Sequence, residues 1–543
     1  MNKKNLAKWT ALTMATATLL SGCGGGGGGS TSVEDSEQLL EIYVLEQGYG
    51  SDWARNVAAA FEKQDWVKAK YPELQVKLTF NDTTGFAANQ MTLGEKYNTY
   101  DLLFGASFSG YYGTSDLVDI TASVYESTVP EEDVTYSEKL NDSLETGMAY
   151  VDYETGEVSY YAAPYFSGVY GFIYNEEALL SYGEVPNTTD EFIALCQKIH
   201  DENATKYTNE DPTAQYAFMQ SKDAPYWQKE GSTLEAWWAQ YEGLQGYEDF
   251  FNGIVNGQRS KDIFKQQGRL ESLKVIETLL DYDNGFVHPQ SFSQDFMVAQ
   301  TAFLQGSAIF HYNGDYFVDE MKEIVDRLVA ADYTVPTIKM MKTPIISSIV
   351  NKCTTIENDA ELSALVEAID AKSTSLTGEG YDVNQKDFNK VKEARSIVNS
   401  VGPAPGVIPS YAKGKEIAID FLRFMATDVA LVEYSKGTNG STLDFYFDMQ
   451  TASPETYAEL SPLHKDRLAY MNDAESPVTI LPKASTYPLC SYGGVKAFVN
   501  EKYYGTLSGQ SNTITAQDFY DDTLEHWTDS AWQMALSSAG LSN

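Results

Sequence analysis

The chain has 543 residues, of which 38 are basic and 77 acidic, for a formal charge of −39. That length exceeds what one hydrophobic core supports and calls for two lobes or more. So negative a chain excludes electrostatic grip on nucleic acid or on an anionic membrane, and its 43% hydrophobic content excludes disorder as the explanation of the charge.

At the N-terminus Lys3, Lys4 and Lys8 flank and precede an uncharged run from Trp9 to Leu20, which leads into Ser21-Gly22-Cys23. A positive region, a short apolar region and a small-residue cleavage site predict a secretion signal over residues 1–22. The apolar run is too short to span a bilayer. Leu20-Ser21-Gly22-Cys23 resembles the lipobox of bacterial lipoproteins, which implies a diacylglyceryl group on the Cys23 thiol and an anchor in the membrane. Residues 23–37, with Gly24 to Gly29 and Ser30-Thr31-Ser32, are expected to be a flexible tether. Beyond Cys23 only Cys196, Cys353 and Cys490 remain, too widely spaced for a zinc motif and too few to pair fully within the chain. Cys196 lies at helical spacing between Phe192 and Ile199 and is expected to be a small core residue.

The folded part opens with the strand-like run Gln38 to Leu45, a glycine-containing turn from Glu46 to Asp52, and a helix from Trp53 to Lys63. Trp53, Val57, Ala60 and Phe61 recur on one face of that helix. Leu74 to Phe80 is a second strand and Tyr100 to Gly105 a third, short and buried in character. This strand–helix–strand rhythm predicts an α/β sheet that is largely parallel. Tyr150 to Asn175 holds a hairpin turn at Glu154-Thr155-Gly156-Glu157 and then two further strands. Pro186 to Glu191 starts a helix, with Thr188 and Glu191 at capping-box spacing. A tryptophan-rich region from Tyr226 to Phe251 leads into helical segments up to about Leu280. Ser291 to Gly306 reads as one helix, and Ala308 to Tyr312 as a strand running into Asn313-Gly314-Asp315. Glu357 to Asn399 is polar and reads as a helical insertion. Val401 to Gly406 is a break, and Lys415 to Thr427 a helix.

Several chemistries have no signature here. There is no Gly-Lys-Ser/Thr phosphate loop, and among five histidines no His-Glu-x-x-His. Gly105-Ala106-Ser107-Phe108-Ser109 lacks the final glycine of a nucleophile elbow. Asp152 to Gly156 and Asp281 to Gly285 fall short of a full calcium-ligand set and read as turns. No cofactor and no metal site is expected. What stands out is aromatic content, with 37 Tyr, 25 Phe and 8 Trp. Flat rings suit the apolar faces of sugars, although most of these rings must serve as core.

The order of short motifs resembles the family 1 extracellular solute-binding proteins of ABC importers, the maltose-binding-like group. The motifs are Phe61-Glu62-Lys63, Tyr100 to Phe104, Leu117-Val118-Asp119-Ile120, Tyr161 to Tyr165 and Val169 to Asn175. They continue with Pro186 to Phe192, Ala302 to Ile309 leading to Asn313-Gly314-Asp315, and Ile408-Pro409-Ser410 followed by Lys415 to Leu422. The resemblance implies an α/β, two-lobed fold of the periplasmic-binding-protein type II, with ligand clasped between hinge-connected lobes. Lobe one is expected to hold residues 38–160 plus 308–400 and lobe two residues 161–307 plus 401–543, with 346–400 an insertion.

The same resemblance implies the site. The turn from Gln47 to Asp52 is similar to a cleft loop, so Gln47, Tyr49 and Asp52 are expected there. Ser107 and Tyr111 lie in a loop that in sugar binders often supplies carboxylate and arginine; here Ser107, Phe108 and Ser109 replace them. Tyr226 and Trp227 resemble a sugar-stacking segment, and Asp315-Tyr316 stands where the family usually has a cleft tryptophan. Tyr165 lies in the hinge region, and Tyr492 and Lys496 in a late ligand-facing segment. The expected function is a lipid-anchored, monomeric, non-enzymatic protein on the extracytoplasmic face of the membrane. It would capture a carbohydrate by lobe closure and pass it to ABC permease subunits, with no nucleic-acid partner. The alternatives are a secreted glycan hydrolase using paired carboxylates, or a surface glycan adhesin.

Overall fold

Leu39–Leu45 (β1) is apolar at six of its seven positions and buried on both faces from Ile42 to Leu45, as befits a central strand covered on both sides. The computed structural model describes residues 38–152, 155–204, 215–222, 233–378, 380–400, 404–471, 477–481, 489 and 514–541. The expected signal and tether, with Cys23, Tyr226, Trp227, Cys490, Tyr492 and Lys496, lie outside the described residues. From β1 the chain enters Asp52–Phe61 (α1), whose Trp53, Val57 and Phe61 are buried, and returns as Gln75–Asn81 (β2), parallel to β1. Phe86–Leu93 (α2) leads to Leu102–Phe104 (β3), parallel to β1 on its other edge. A hairpin, Ala149–Val151 with Val158–Tyr160, precedes Ala162–Phe166 (β4).

At Ser167 and Gly168 the chain crosses into a second sheet, whose spine is Val169–Asn175 (β5). Thr189–Ala204 (α3) follows. Thr188 Oγ1 accepts from the N–H of Glu191 at 3.2 Å, while the Glu191 carboxylate reaches the N–H of Asn187 at 2.8 Å, one residue beyond the usual capping box. Cys196 is fully buried on this helix. Tyr216–Met219 (β6) is parallel to Ala308–Gly314 (β7), which pairs antiparallel with β5. Between β6 and β7 lie the helices Thr233–Glu242 (α4), Gln267–Leu280 (α5) and Phe296–Leu304 (α6). The expected single helix over 291–306 is two pieces, because the Asp295 side chain caps α6 afresh after a short 3₁₀ turn at Pro289–Phe292. The other edge of β5 is shared in series by Ile338–Met341 (β8) and Ile397–Ser400 (β9). Between them the polar stretch forms Asp359–Asp370 (α7), a small hairpin and Gln385–Ser396 (α8).

The chain then returns to the first sheet. Ala404–Val407 (β10), expected as a break, inserts antiparallel between β3 and β4. Its Pro405 is tolerated because the register shifts there, between Ala404 and Pro405. Lys415–Met425 (α9) and Asp428–Gly437 (α10) cover this sheet. A Cβ on Gly437 would sit 2.3 Å from the Trp53 backbone, so only glycine lets α10 approach α1 this closely. Pro462–Met471 (α11) precedes Thr479–Ile480 (β11), which pairs with β9 in the second sheet, and Ala516–His526 (α12) packs against α5.

Two expectations need correction. The sheets are mixed rather than largely parallel: the first, in order β2-β1-β3-β10-β4, is parallel only through β1, β2 and β3. The lobe partition is also different. Residues 308–400 supply β7, β8 and β9 to the second sheet, while 404–407 return to the first as β10 and α11 packs against β8 of the second. Hydrophobic patterning marks a strand as buried but carries no label for its partner.

One carboxylate ties the insertion together. Asp387 Oδ2 accepts from the backbone N–H groups of Thr354 and Thr355, both at 2.7 Å, from both threonine hydroxyls and from Asn384 Nδ2. Burial alone would raise its pKa, but these donors together outweigh it and hold the carboxyl below the usual range. Asp387→Ala should cost about 2–3 kcal/mol in urea unfolding. Because the folded pKa is depressed, this contribution is complete above about pH 4 and is lost as pH falls through the folded value. Wild type and variant should therefore converge in stability under acid, measured as unfolding midpoints across pH.

Candidate cleft between the two sheets

The turn after β1 is closed by the Gly50 N–H donating to the Gln47 carbonyl at 2.8 Å, and it projects Tyr49 toward the crossing. The Tyr49 ring lies flat on Phe166, centroids 4.1 Å apart and planes 6° from parallel. Phe166 is the last residue of β4, and 6.4 Å beyond it stands the half-buried ring of Tyr316, just past β7. A Cβ on Gly314 would fall 2.1 Å from the Tyr316 ring, so glycine is required for that ring to fold back over the strand end. Tyr49, Phe166 and Tyr316 thus make an aromatic floor that runs from one lobe across the hinge to the other.

Polar groups rim this floor. Gln47 is exposed, with its Oε1 3.3 Å from the Tyr49 hydroxyl. Glu320 faces Gly48 from the opposite lobe, 3.5 Å from where a Cβ would be, and accepts from Gln300 Nε2 at 3.0 Å. Burial raises the Glu320 pKa, with the Gln300 bond opposing. Asp52 is exposed in the first turn of α1 and pairs with Arg55 at 3.4 Å.

The remaining predicted residues fall into two groups. Ser107 is exposed with φ of 68°, a left-handed conformation that costs a non-glycine residue of order 1 kcal/mol. Tyr111 is half-buried, its hydroxyl 3.0 Å from Thr92 Oγ1 on α2. Tyr165, by contrast, is fully buried against Trp53 and Phe104, and burial pushes its pKa up. Asp315 is buried too, and its carboxylate receives Arg467 Nε at 2.5 Å. Burial raises the Asp315 pKa and Arg467 opposes it. Expected at the cleft surface, Tyr165 and Asp315 instead pack beneath it, because β4 and the end of β7 are covered on both faces, and Tyr49, 4% exposed, is buried against Phe166 as well.

Arg467 was not foreseen. Its guanidinium also donates to Asp444 and, at 2.7 Å, to Thr442 Oγ1. Nearby Asp319 accepts from Ser441 Oγ at 2.7 Å and sits 3.4 Å from His464 Nε2. Asp444 in turn donates its N–H to Ser167 Oγ, in the crossing itself. These contacts join α11 and the 441–444 loop to the end of β7. A local signal could not have found them, since Arg467 and Asp315 lie 152 positions apart.

A separate hollow of about 530 Å³ lies on the outside of the first lobe, lined by Trp66, Lys70, Val129, Asp420 and Arg423 among others. Lys70 and Asp420 pair there at 2.7 Å, and Arg423 donates to the Thr128 carbonyl at 2.6 Å. Among the described residues no cluster of His, Cys, Asp or Glu could hold a metal ion, and no helix is long and apolar enough to cross a membrane.

A family model described as bacterial extracellular solute-binding protein matches residues 46–431. Among solved structures, a probable secreted solute-binding lipoprotein from Streptomyces coelicolor is 13% identical with a TM-score of 0.55, over 91% of this chain and 99% of that one. RafE in complex with raffinose is 15% identical at 0.51, over 90% and 98%. A chitin oligosaccharide binding protein is 16% identical at 0.51, over 91% and 99%. At these identities the likeness is one of fold. No curated protein matches the chain in sequence.

Removing Arg467 leaves two carboxylates buried without their counter-charge. Arg467→Met should lower the unfolding free energy by about 3–5 kcal/mol in denaturant titration. Combining it with Asp315→Asn should cost clearly less than the sum of the two single changes, since each removes the same interaction. Strict additivity would mean that the bridge does not couple the two elements.

Proposed function

This chain belongs to the bacterial extracellular solute-binding protein family, and from that premise we propose that it captures a carbohydrate, an oligosaccharide by preference, and delivers it to an ABC importer. The observation that carries the reading is the aromatic floor of Tyr49, Phe166 and Tyr316 with a rim of Gln47, Gln300 and Glu320. Rings lie against the C–H faces of a sugar, while amide and carboxyl groups take its hydroxyls. That RafE was solved with raffinose, and that another neighbour is a chitin oligosaccharide binding protein, supports the same ligand class.

The action is capture without catalysis. Lobes open about the crossings after β4 and after β9, ligand touches both, and the closed state becomes the populated one because only it makes both sets of contacts. A micromolar complex needs about 8 kcal/mol, within reach of two or three stacked rings and several hydroxyl hydrogen bonds. In this reading Gln47, Asp52, Ser107, Tyr111 and Tyr316 line the cleft, and Tyr49, buried against Phe166, supports them from below. Tyr226, Trp227, Tyr492 and Lys496 complete it, and Tyr165 and Asp315 hold its floor in position. Cys23 carries the lipid that keeps the monomer at the extracytoplasmic face, within reach of the permease.

Screening the mature protein against an oligosaccharide panel by thermal shift tests the ligand class; stabilisation by none of them would count against it. With a binding sugar in hand, Tyr316→Ala and Trp227→Ala should each weaken affinity 10- to 100-fold in calorimetry. That range takes a lost stacking ring as about 1–3 kcal/mol. The ligand-free melting temperature should hardly change. Unaltered affinity with a large loss of stability would make either residue a packing residue.

The anchor is tested separately. Cys23→Ala should move the protein from the membrane fraction into the medium or periplasm, followed by immunoblot of fractionated cells. A variant that stays with the membrane would remove Cys23 as the attachment point.

A further inference from the structure

Four glutamines of the second lobe carry buried amide atoms that meet no hydrogen-bond partner among the described residues: Nε2 and Oε1 of Gln220, Oε1 of Gln294, Oε1 of Gln300 and, on α4, Nε2 of Gln240, whose Oε1 is taken by the Ile346 N–H. Gln220 is only 2% exposed and Gln300 1%. A buried amide without a partner forfeits the hydrogen bonds it had in water, and folded proteins rarely keep one. The Gln220 backbone, by contrast, is fully engaged. Its N–H donates to Ser291 Oγ at 3.1 Å, and its carbonyl accepts from Gln294 Nε2 at 3.4 Å. The main chain is anchored while the side chain is unmet.

Topology places these groups at the cleft end of the sheet. β6 and β7 run parallel with Met219 beside His311, so Gln220 follows the carboxyl end of β6 as Asp315 and Tyr316 follow that of β7. Ligands of α/β sheets sit outside the carboxyl ends of the strands. The chain reverses between α6 and β7, and Phe303 stacks on His311 at 5.5 Å. Gln300, one turn earlier, therefore lies toward the Asn313–Asp315 end, where its Nε2 reaches Glu320 opposite Gly48 of the first lobe. In the sequence Tyr226 and Trp227 come within seven residues of Gln220.

We propose that Gln220 and Gln300, backed by Gln294, form the specificity-determining face of the cleft for an uncharged, polyhydroxylated ligand whose hydroxyls supply the missing donors and acceptors. The proposal rests on the carbohydrate reading above and narrows it. A carboxamide presents one acceptor and one donor group side by side, which matches a pair of neighbouring hydroxyls. It carries no charge to balance an anionic sugar, and the neighbouring Glu320 carboxyl would oppose one.

Gln220→Met keeps the length of the side chain and removes both amide atoms, so it separates the two roles. The purified mature protein is compared with wild type by thermal unfolding without sugar. Both are then titrated calorimetrically with raffinose, chitotriose and, as the acidic probe, trigalacturonic acid. We expect Gln220→Met to melt no lower than wild type without sugar, and to bind the neutral sugar that wild type takes 10- to 100-fold more weakly. A lower melting temperature without sugar overturns the proposal, because the amide would then be paired inside the protein. Unchanged affinity, or a wild-type preference for the acidic probe, overturns it as well while leaving the carbohydrate reading intact. If wild type binds none of the probes, the carbohydrate reading falls, and the ligand class proposed here falls with it.

Discussion

A single buried guanidinium holds the two halves of this protein in register. Arg467, 1% exposed on α11, reaches Asp315 at the end of the second lobe's strand β7 and Asp444 in the segment that covers the first sheet. Taking three charges out of water is costly, and their mutual attraction offsets that cost only when the geometry is good and the remaining donors are satisfied. Thr442 takes one more of the Arg467 donors, and Asp444 is tied through its own N–H to Ser167 in the crossing. The bridge therefore sets where β7 ends relative to the hinge. Tyr316 is the next residue, so its position over the cleft follows.

The aromatic floor depends on that placement. Tyr49 comes from a turn on the first lobe, Phe166 from the last position before the crossing, and Tyr316 from beyond β7. The three elements are brought into one line only because β4, β5 and β7 meet at the crossing. Gly314 has no side chain to obstruct the Tyr316 ring. Below the floor, Trp53, Phe104 and Tyr165 pack as an aromatic layer.

Polar groups are treated differently in the two settings. Asp387 in the insertion accepts five hydrogen bonds on one oxygen, and Asp370 receives Lys342 at 3.0 Å and Arg395 at 2.6 Å. On the cleft side of the second lobe, Gln220 and Gln300 are buried with amide atoms unpaired among the described residues. Buried amides left unmet cost stability, a cost that functional sites commonly carry.

The sequence by itself determined the local elements. Apolar runs with period two or continuous burial marked β1, β2, β3 and β7, helical spacing marked α1 and α9, and the Thr188 cap marked the start of α3. Motif order sufficed for the family and the two-lobed class. Only the tertiary structure decided the rest. β9 and β10 are separated by three residues yet belong to different sheets, and the Arg467 bridge spans 152 positions. The glutamine cluster joins β6 to α6 across a long excursion through α4 and α5. The physical reason is that patterning records whether a residue is buried. Which strand pairs with which, and which charge finds which, is set by the free energy of the whole packed assembly, a quantity no local stretch contains.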